Sequence, residues 1–158
     1  MEIRPIISSD NKTLAAIIRA CLIEFKAGKP GTVFFDKTTD TLSDLFKMNG
    51  SKYFVVLQDG EIVGGAGIFP THNLPAETCE LVKLYLDPKA RGKGLGKILM
   101  KQCEEEAKKL GYKKVYLETM PELAIAVPLY EKMGYKYLPS PLGNTGHGGC
   151  DIWMLKKL

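Results

Sequence analysis

Polar and apolar positions along the chain fall into short alternating runs separated by two longer stripes of helical period. Residues 2–7 read as a first strand, and Ser8-Ser9-Asp10 supplies N-caps for a helix with Leu14, Ile17, Ile18, Cys21, Leu22 and Phe25 on one face. Glycines at 28 and 31 end that helix, and a second short one is expected over 40–48. Two strands, 53–57 and 62–69, flank Gln58-Asp59-Gly60-Glu61, where Asp-Gly is a strong hairpin signal. Gly64, Gly65 and Gly67 inside the second strand signal a bulge or a close backbone approach, and a twisted strand is the plainer reading. A further strand runs to Leu86 and stops at Asp87-Pro88, because proline has no N–H for a ladder. Leu95, Ile98, Leu99, Cys103, Ala107 and Leu110 then recur at helical spacing until Gly111. Residues 114–118 form the next strand and Pro121-Glu122 opens another helix. Closing strands at 135–138 and 151–155 are joined by a long glycine-rich loop, 139–150.

The organising stretch is the turn Arg91-Gly92-Lys93-Gly94-Leu95-Gly96 between a strand and a helix. A helix N-terminus presents unpaired N–H groups and the positive end of its dipole, which together attract phosphate. Glycine at alternate positions lets the backbone take positive φ and approach a diphosphate closely. Lys89, Arg91, Lys93, Lys97 and Lys101 crowd the same turn, so the expected ligand is a polyanion. A Walker loop would place Lys-Ser/Thr after its glycines, which this turn lacks. The dinucleotide fingerprint Gly-x-Gly-x-x-Gly differs from the Gly-x-Gly-x-Gly found here, although Glu118 ends a strand near the distance where a ribose-binding acid would stand.

These residues resemble the GNAT superfamily of acetyl-CoA-dependent N-acetyltransferases. Its turn signature, Gln/Arg-x-x-Gly-x-Gly/Ala, is matched by Arg91, Gly94 and Gly96. A second pattern, Ala-x-x-Leu-Tyr-x-x-x-Gly-Phe/Tyr, is matched in the right order by Ala126, Leu129, Tyr130, Gly134 and Tyr135. The resemblance implies an α/β (α+β) fold in one domain, residues 1–158: a mixed, mostly antiparallel sheet of six to seven strands flanked by about four helices. It also implies that the strand of 114–118 splays from the one before it, leaving a wedge for the pantetheine arm. The backbone of Leu84, Tyr85 and Leu86 would pair with that arm, and the amides of Gly92, Lys93, Gly94, Leu95, Gly96 and Lys97, beside Arg91, would hold the pyrophosphate.

Composition changes this picture little. A chain of 158 residues, 45% hydrophobic and 25% charged, can bury a substantial core. The net charge of +4 comes without an arginine-rich or aromatic-interleaved stripe, so nucleic-acid binding has no support, and the excess is assigned to the cofactor turn. No apolar run is long enough to span a bilayer and no signal-peptide pattern appears, so the expectation is a cytoplasmic protein without membrane attachment. Cys21, Cys79, Cys103 and Cys150 are far apart without metal-ligand spacing and read as reduced thiols; no metal is expected.

Two residues are candidates for catalysis. Strict alternation puts Glu80 on one face with Val82, Leu84 and Leu86 unless a bulge intervenes, and a carboxylate among apolar neighbours suits a general base. By resemblance, Glu80 falls where histone-type members place their catalytic glutamate, and Tyr130 would hydrogen-bond the coenzyme sulfur and return a proton to it. Two departures from the family pattern stand out: Leu123 replaces a common asparagine that contacts the pantetheine arm, and Pro128 would clash with the carbonyl of Ala124 and kink or interrupt the helix. Phe34 and Phe35 would line the acceptor pocket or pack the core, and Asn144, Thr145 and His147 would edge that pocket. The expected reaction is acetyl transfer from acetyl-CoA to a primary amine on a small molecule or peptide; the acceptor and self-association, a homodimer included, stay open. The rival is a non-catalytic module that binds acetyl-CoA or CoA as a sensor.

Overall fold

The computed structural model describes residues 1–158 except 124, 145 and 147. Seven strands of the described residues form one sheet: β1 (Glu2–Pro5), β2 (Lys52–Gln58), β3 (Glu61–Phe69), β4 (Thr78–Leu86), β5 (Lys114–Thr119), β6 (Lys136–Tyr137) and β7 (Ile152–Lys157), in the order β1-β2-β3-β4-β5-β7-β6. Every neighbouring pair is antiparallel except β4 and β5, which run parallel. Among the described residues four α-helices flank it: α1 (Asn11–Glu24), α2 (Leu42–Leu45), α3 (Leu95–Lys109) and α4 (Val127–Lys132). This is the α/β architecture the resemblance implied.

Each face of the sheet carries its own core. On one, α3 buries Leu95, Leu99, Met100, Cys103 and Ala107 against Val56, Val63, Ile68, Val115 and Leu117. On the other, Leu14, Ile18 and Leu22 of α1 pack with Leu42, Phe46, Tyr53 and Val55. The Asp59-Gly60 hairpin forms as expected, with φ of 53° and 81°.

The strand of Glu80 departs from strict alternation. Gly65 pairs with Tyr85 but Gly67 with Val82, so β4 has one residue more than β3 across that step. The surplus is a bulge at Lys83, whose φ is 52°. Beyond the bulge the faces exchange: Val82 and Tyr85 join the α1 core, whereas Leu84 and Leu86 join the α3 core. Glu80 therefore does not share a face with Leu84 and Leu86, because one inserted residue inverts a period of two.

The glycines of β3 answer to close approach rather than to twist alone. A Cβ on Gly64 would collide with the Tyr85 carbonyl oxygen, and one on Gly67 would stand 2.6 Å from the Tyr53 ring. The helix expected from Pro121 divides into a 3-10 turn, Pro121–Leu123, and α4, so that Pro128 sits in the first turn of α4 where its missing N–H costs nothing. The anticipated clash with residue 124 lies outside the described residues.

Candidate active site

Only three residue pairs join β4 to β5: Thr78 with Lys114, Cys79 with Val115 and Glu80 with Tyr116. Past them the strands part, leaving one side of residues 81–86 without a strand partner. A cavity of about 300 Å³ occupies the opening, walled by β4, the glycine turn, the end of β5 and α4.

At its floor the turn has the geometry an anion requires. Gly92 and Gly94 have φ of 72° and 78°, and a Cβ on either would meet nothing within 4 Å, so the space above them is open. Gly96 has a different reason to be glycine: its Cβ would lie 3.0 Å from the Leu129 Cδ2, which lets α4 close over the start of α3. Among the described residues, the backbone N–H groups from 92 to 97 have no internal acceptor; the first bond of the helix is from Ile98 N to Gly94 O, 3.1 Å. Six uncommitted donors thus stand at the positive end of the helix dipole.

The charge of Arg91 is engaged elsewhere. Its guanidinium makes paired 2.8 Å bonds to both Glu24 oxygens, donates from Nε to Leu86 O at 2.9 Å and lies 5.0 Å from the centre of the Phe25 ring. It locks the end of α1 to the end of β4 and leaves the Leu86 carbonyl, which also accepts from the Cys21 thiol, occupied. Lys89 pairs with Glu61. Lys93 reaches Gln58 and does not line the cavity, whereas Lys97 does.

Of the other residues singled out by sequence, Leu84, Tyr85, Leu86, Arg91, Gly92, Gly94, Leu95, Gly96, Lys97 and Tyr130 all line the cavity. Tyr130 is buried, its hydroxyl has no hydrogen bond among the described residues, and burial pushes its phenol well above the ordinary value, so it stays protonated. Glu80 is 4% exposed, accepts a short hydrogen bond from the Thr71 hydroxyl and stands behind the cavity wall rather than in it. Phe34 packs against the α1 core and Phe35 is exposed; neither lines the cavity. Thr145 and His147 lie outside the described residues.

Sequence reasoning passed over Thr119 and Lys83 in the wall and weighed Glu118 only as a ribose-binding acid. Thr119, at the end of β5, is 3% exposed and its Oγ1 has no hydrogen-bond partner among the described residues, a costly arrangement unless a ligand supplies one. Glu118 is half-buried and accepts from the Tyr116 hydroxyl at 2.7 Å. Lys83, whose side chain is 4% exposed, bonds Asp36 at 3.1 Å; burial pulls its ammonium below the usual lysine value while Asp36 opposes the shift. The signal for Thr119 was present in retrospect: with Leu123 in the place of asparagine, a polar group had to come from elsewhere. Lys83 was hidden by the bulge, which places residue 83 in the wall and which no residue pattern announces.

The open cradle, the orphaned Thr119 hydroxyl and the wedge between strands fit an elongated molecule with a diphosphate at one end and a polar arm, which is coenzyme A. No group of three or more histidine, cysteine or acidic residues among the described residues is placed to hold a metal. No helix of the described residues is long and apolar enough to cross a membrane.

Comparison with known proteins agrees with this geometry. The Acetyltransferase (GNAT) family matches residues 14–135, and the chain belongs to that family. It is thus an acyltransferase that uses acetyl-CoA as co-substrate. Among its relatives is an uncharacterized N-acetyltransferase of Escherichia coli K12, YjgM, 39% identical over 150 residues that cover 94% of this chain and 90% of the relative. In fold it is similar to a GNAT-family acetyltransferase from Staphylococcus aureus Mu50, with a TM-score of 0.86, 18% identity, and 99% and 98% of the two chains covered. It is similar also to the putative acetyltransferase yncA of Salmonella typhimurium, determined with its cofactor acetyl-CoA, with a TM-score of 0.78, 19% identity, and 100% and 94% covered.

Proposed function

We propose that this protein transfers the acetyl group of acetyl-CoA directly to a primary amine of a small molecule or peptide. The observation that carries the reading is the run of uncommitted backbone donors at 92–97 opening into the parted β4 and β5 strands. Acetyl-CoA supplies an activated acyl group; the chain must hold it, dispose of the amine proton and assist departure of the thiolate.

Residues 92–97 bind the diphosphate through main-chain N–H groups, with Lys97 adding charge. Residues 84–86 pair with the pantetheine arm along the edge that β5 leaves, except for the Leu86 carbonyl held by Arg91 and Cys21, and the Thr119 hydroxyl supplies a polar contact from the other wall. A β4 amide near Leu84 or Tyr85 polarises the thioester carbonyl. Glu80 takes the amine proton, through water because it lies behind the wall, with Thr71 orienting its carboxylate. Tyr130 stays neutral and protonates the leaving sulfur.

Calorimetric titration with acetyl-CoA, followed by measurement of free thiol released in the presence of amines, tests the reading. Binding with amine-dependent release is expected. Binding without release for any amine would mark the protein as a sensor, and absence of binding would remove the coenzyme site altogether.

A further inference from the structure

We propose that the acceptor is an α-amino acid, read by Lys83, whose ammonium receives the acceptor carboxylate beside the amine to be acetylated. This rests on the transferase reading above and names its substrate class. The argument begins with hydrogen-bond capacity. A lysine ammonium has three donors, and Lys83, with a side chain 4% exposed, spends one of them, on Asp36. Among the described residues its remaining two N–H groups have no acceptor, and residue 83 is part of the wall of the coenzyme cavity.

Burying an ammonium is expensive, and its solvation must be replaced. A lysine whose only role was to pin the loop of Asp36 could do so from the surface, as Lys89 does with Glu61. Here the charge is instead carried on a left-handed residue, itself a strained conformation for a side chain with a Cβ. Tyr53 braces that residue by donating to its carbonyl at 2.9 Å. The bulge thus sets residue 83 in the cavity wall with its ammonium buried.

The remaining charges make the pattern bipolar. Glu118 lines the same cavity, and Glu80 is near enough to Lys83 to act on its charge. Glu118 in the wall, Glu80 behind it and the buried Lys83 ammonium match a zwitterion: the amine faces the acids and the carboxylate faces Lys83. A polyamine, carrying only cations, would offer the spare Lys83 N–H groups no acceptor. In the transfer itself the thioester C–S bond breaks, an amide C–N bond forms, the amine proton passes to the base and the sulfur leaves as the thiol. The acceptor carboxylate takes no part except to fix the amine in place.

The test compares the proteinogenic L-amino acids with their primary carboxamides as acceptors at saturating acetyl-CoA, reading kcat/KM from thiol release. The wild-type enzyme is expected to favour at least one free acid over its amide by about tenfold or more, the effect of one charge-assisted hydrogen bond. In Lys83→Met that ratio should fall to about unity through a rise in KM for the acid. Equal rates for acids and amides in the wild type would overturn the proposal without any variant, while leaving the transferase reading intact. An undiminished preference in Lys83→Met would overturn it as well. Bound acetyl-CoA with no turnover of any amine would defeat the transferase reading and this one with it.

Discussion

The Tyr53 hydroxyl donates to the Lys83 carbonyl across 2.9 Å of buried space, while its ring lies against the Cβ-free backbone of Gly65 and Gly67. One aromatic side chain from β2 thus spans β3 and fixes the bulge of β4. Tyr53→Phe should lower stability in urea titrations by about 1 to 2 kcal/mol, the cost of one unmatched buried carbonyl. Turnover should fall as well, because the bulge decides which strand amides face the coenzyme. If neither quantity changes, the glycines alone hold the bulge.

Gly94 and Gly60 form a matched pair of substitution sites. Both have φ near 80° and open space where a Cβ would go, so alanine at either costs about 1 to 2 kcal/mol of backbone strain. Only Gly94 borders the cradle. Gly94→Ala should weaken acetyl-CoA binding by tenfold or more, on the order of one lost close contact, while Gly60→Ala should leave the affinity where it was. Calorimetry on both separates strain from occupancy.

Thr119→Val should move two measurements in opposite directions. The free protein should gain stability, by about 1 kcal/mol, since an unsatisfied buried hydroxyl is replaced by a methyl of the same size. The KM for acetyl-CoA should rise several-fold. A loss of stability would mean that the hydroxyl has a partner within the protein.

Glu80→Gln and Tyr130→Phe should each leave the fold and coenzyme affinity nearly intact while lowering kcat by roughly 100-fold, the usual worth of a positioned proton donor or acceptor. The Glu80→Gln enzyme should also lose the acid limb of its pH–rate profile. An unchanged profile and kcat would remove Glu80 as base and turn attention to Glu118, which does line the cavity.

Asp10 governs the acid stability of the N-terminal segment. Burial alone would raise its pKa, but bonds from both Arg4 amino groups, at 2.7 and 3.0 Å, and from the Ile7 N–H hold it below its ordinary 3.8. A depressed carboxylate contributes stability above its unfolded pKa and loses it as pH falls through the folded value. Asp10→Asn should therefore be less stable by about 2 kcal/mol at neutral pH, with the gap to wild type closing below about pH 4. A gap that persists to pH 2 would assign the effect to packing.

The sequence spoke most clearly where local chemistry settles conformation. Asp59-Gly60 formed its hairpin, Pro88 ended β4, and Gly92 and Gly94 adopted the positive φ that the turn needs. It was weakest where register depends on a neighbour. No residue pattern announces that β4 carries an extra residue at Lys83, because the bulge is imposed by Tyr53 and by β3, and with it went the shared face of Glu80, Leu84 and Leu86. Arg91 was read as a phosphate ligand by its place beside the glycines, yet its partner Glu24 lies on a helix 67 residues away in sequence. Thr119 could be found only by asking which buried oxygen is left without a bond.

The three rungs between β4 and β5 mean that the sheet is two panels, β1 to β4 and β5 to β7, hinged along a short seam. In the proposed binding mode an acyl-carrying arm lying in the gap would complete the missing ladder, so that cargo and mortar are the same molecule. Amide hydrogens of residues 81–86 should be the slowest-exchanging reporters of loading, and proteolysis of the unloaded chain should begin by separating the panels.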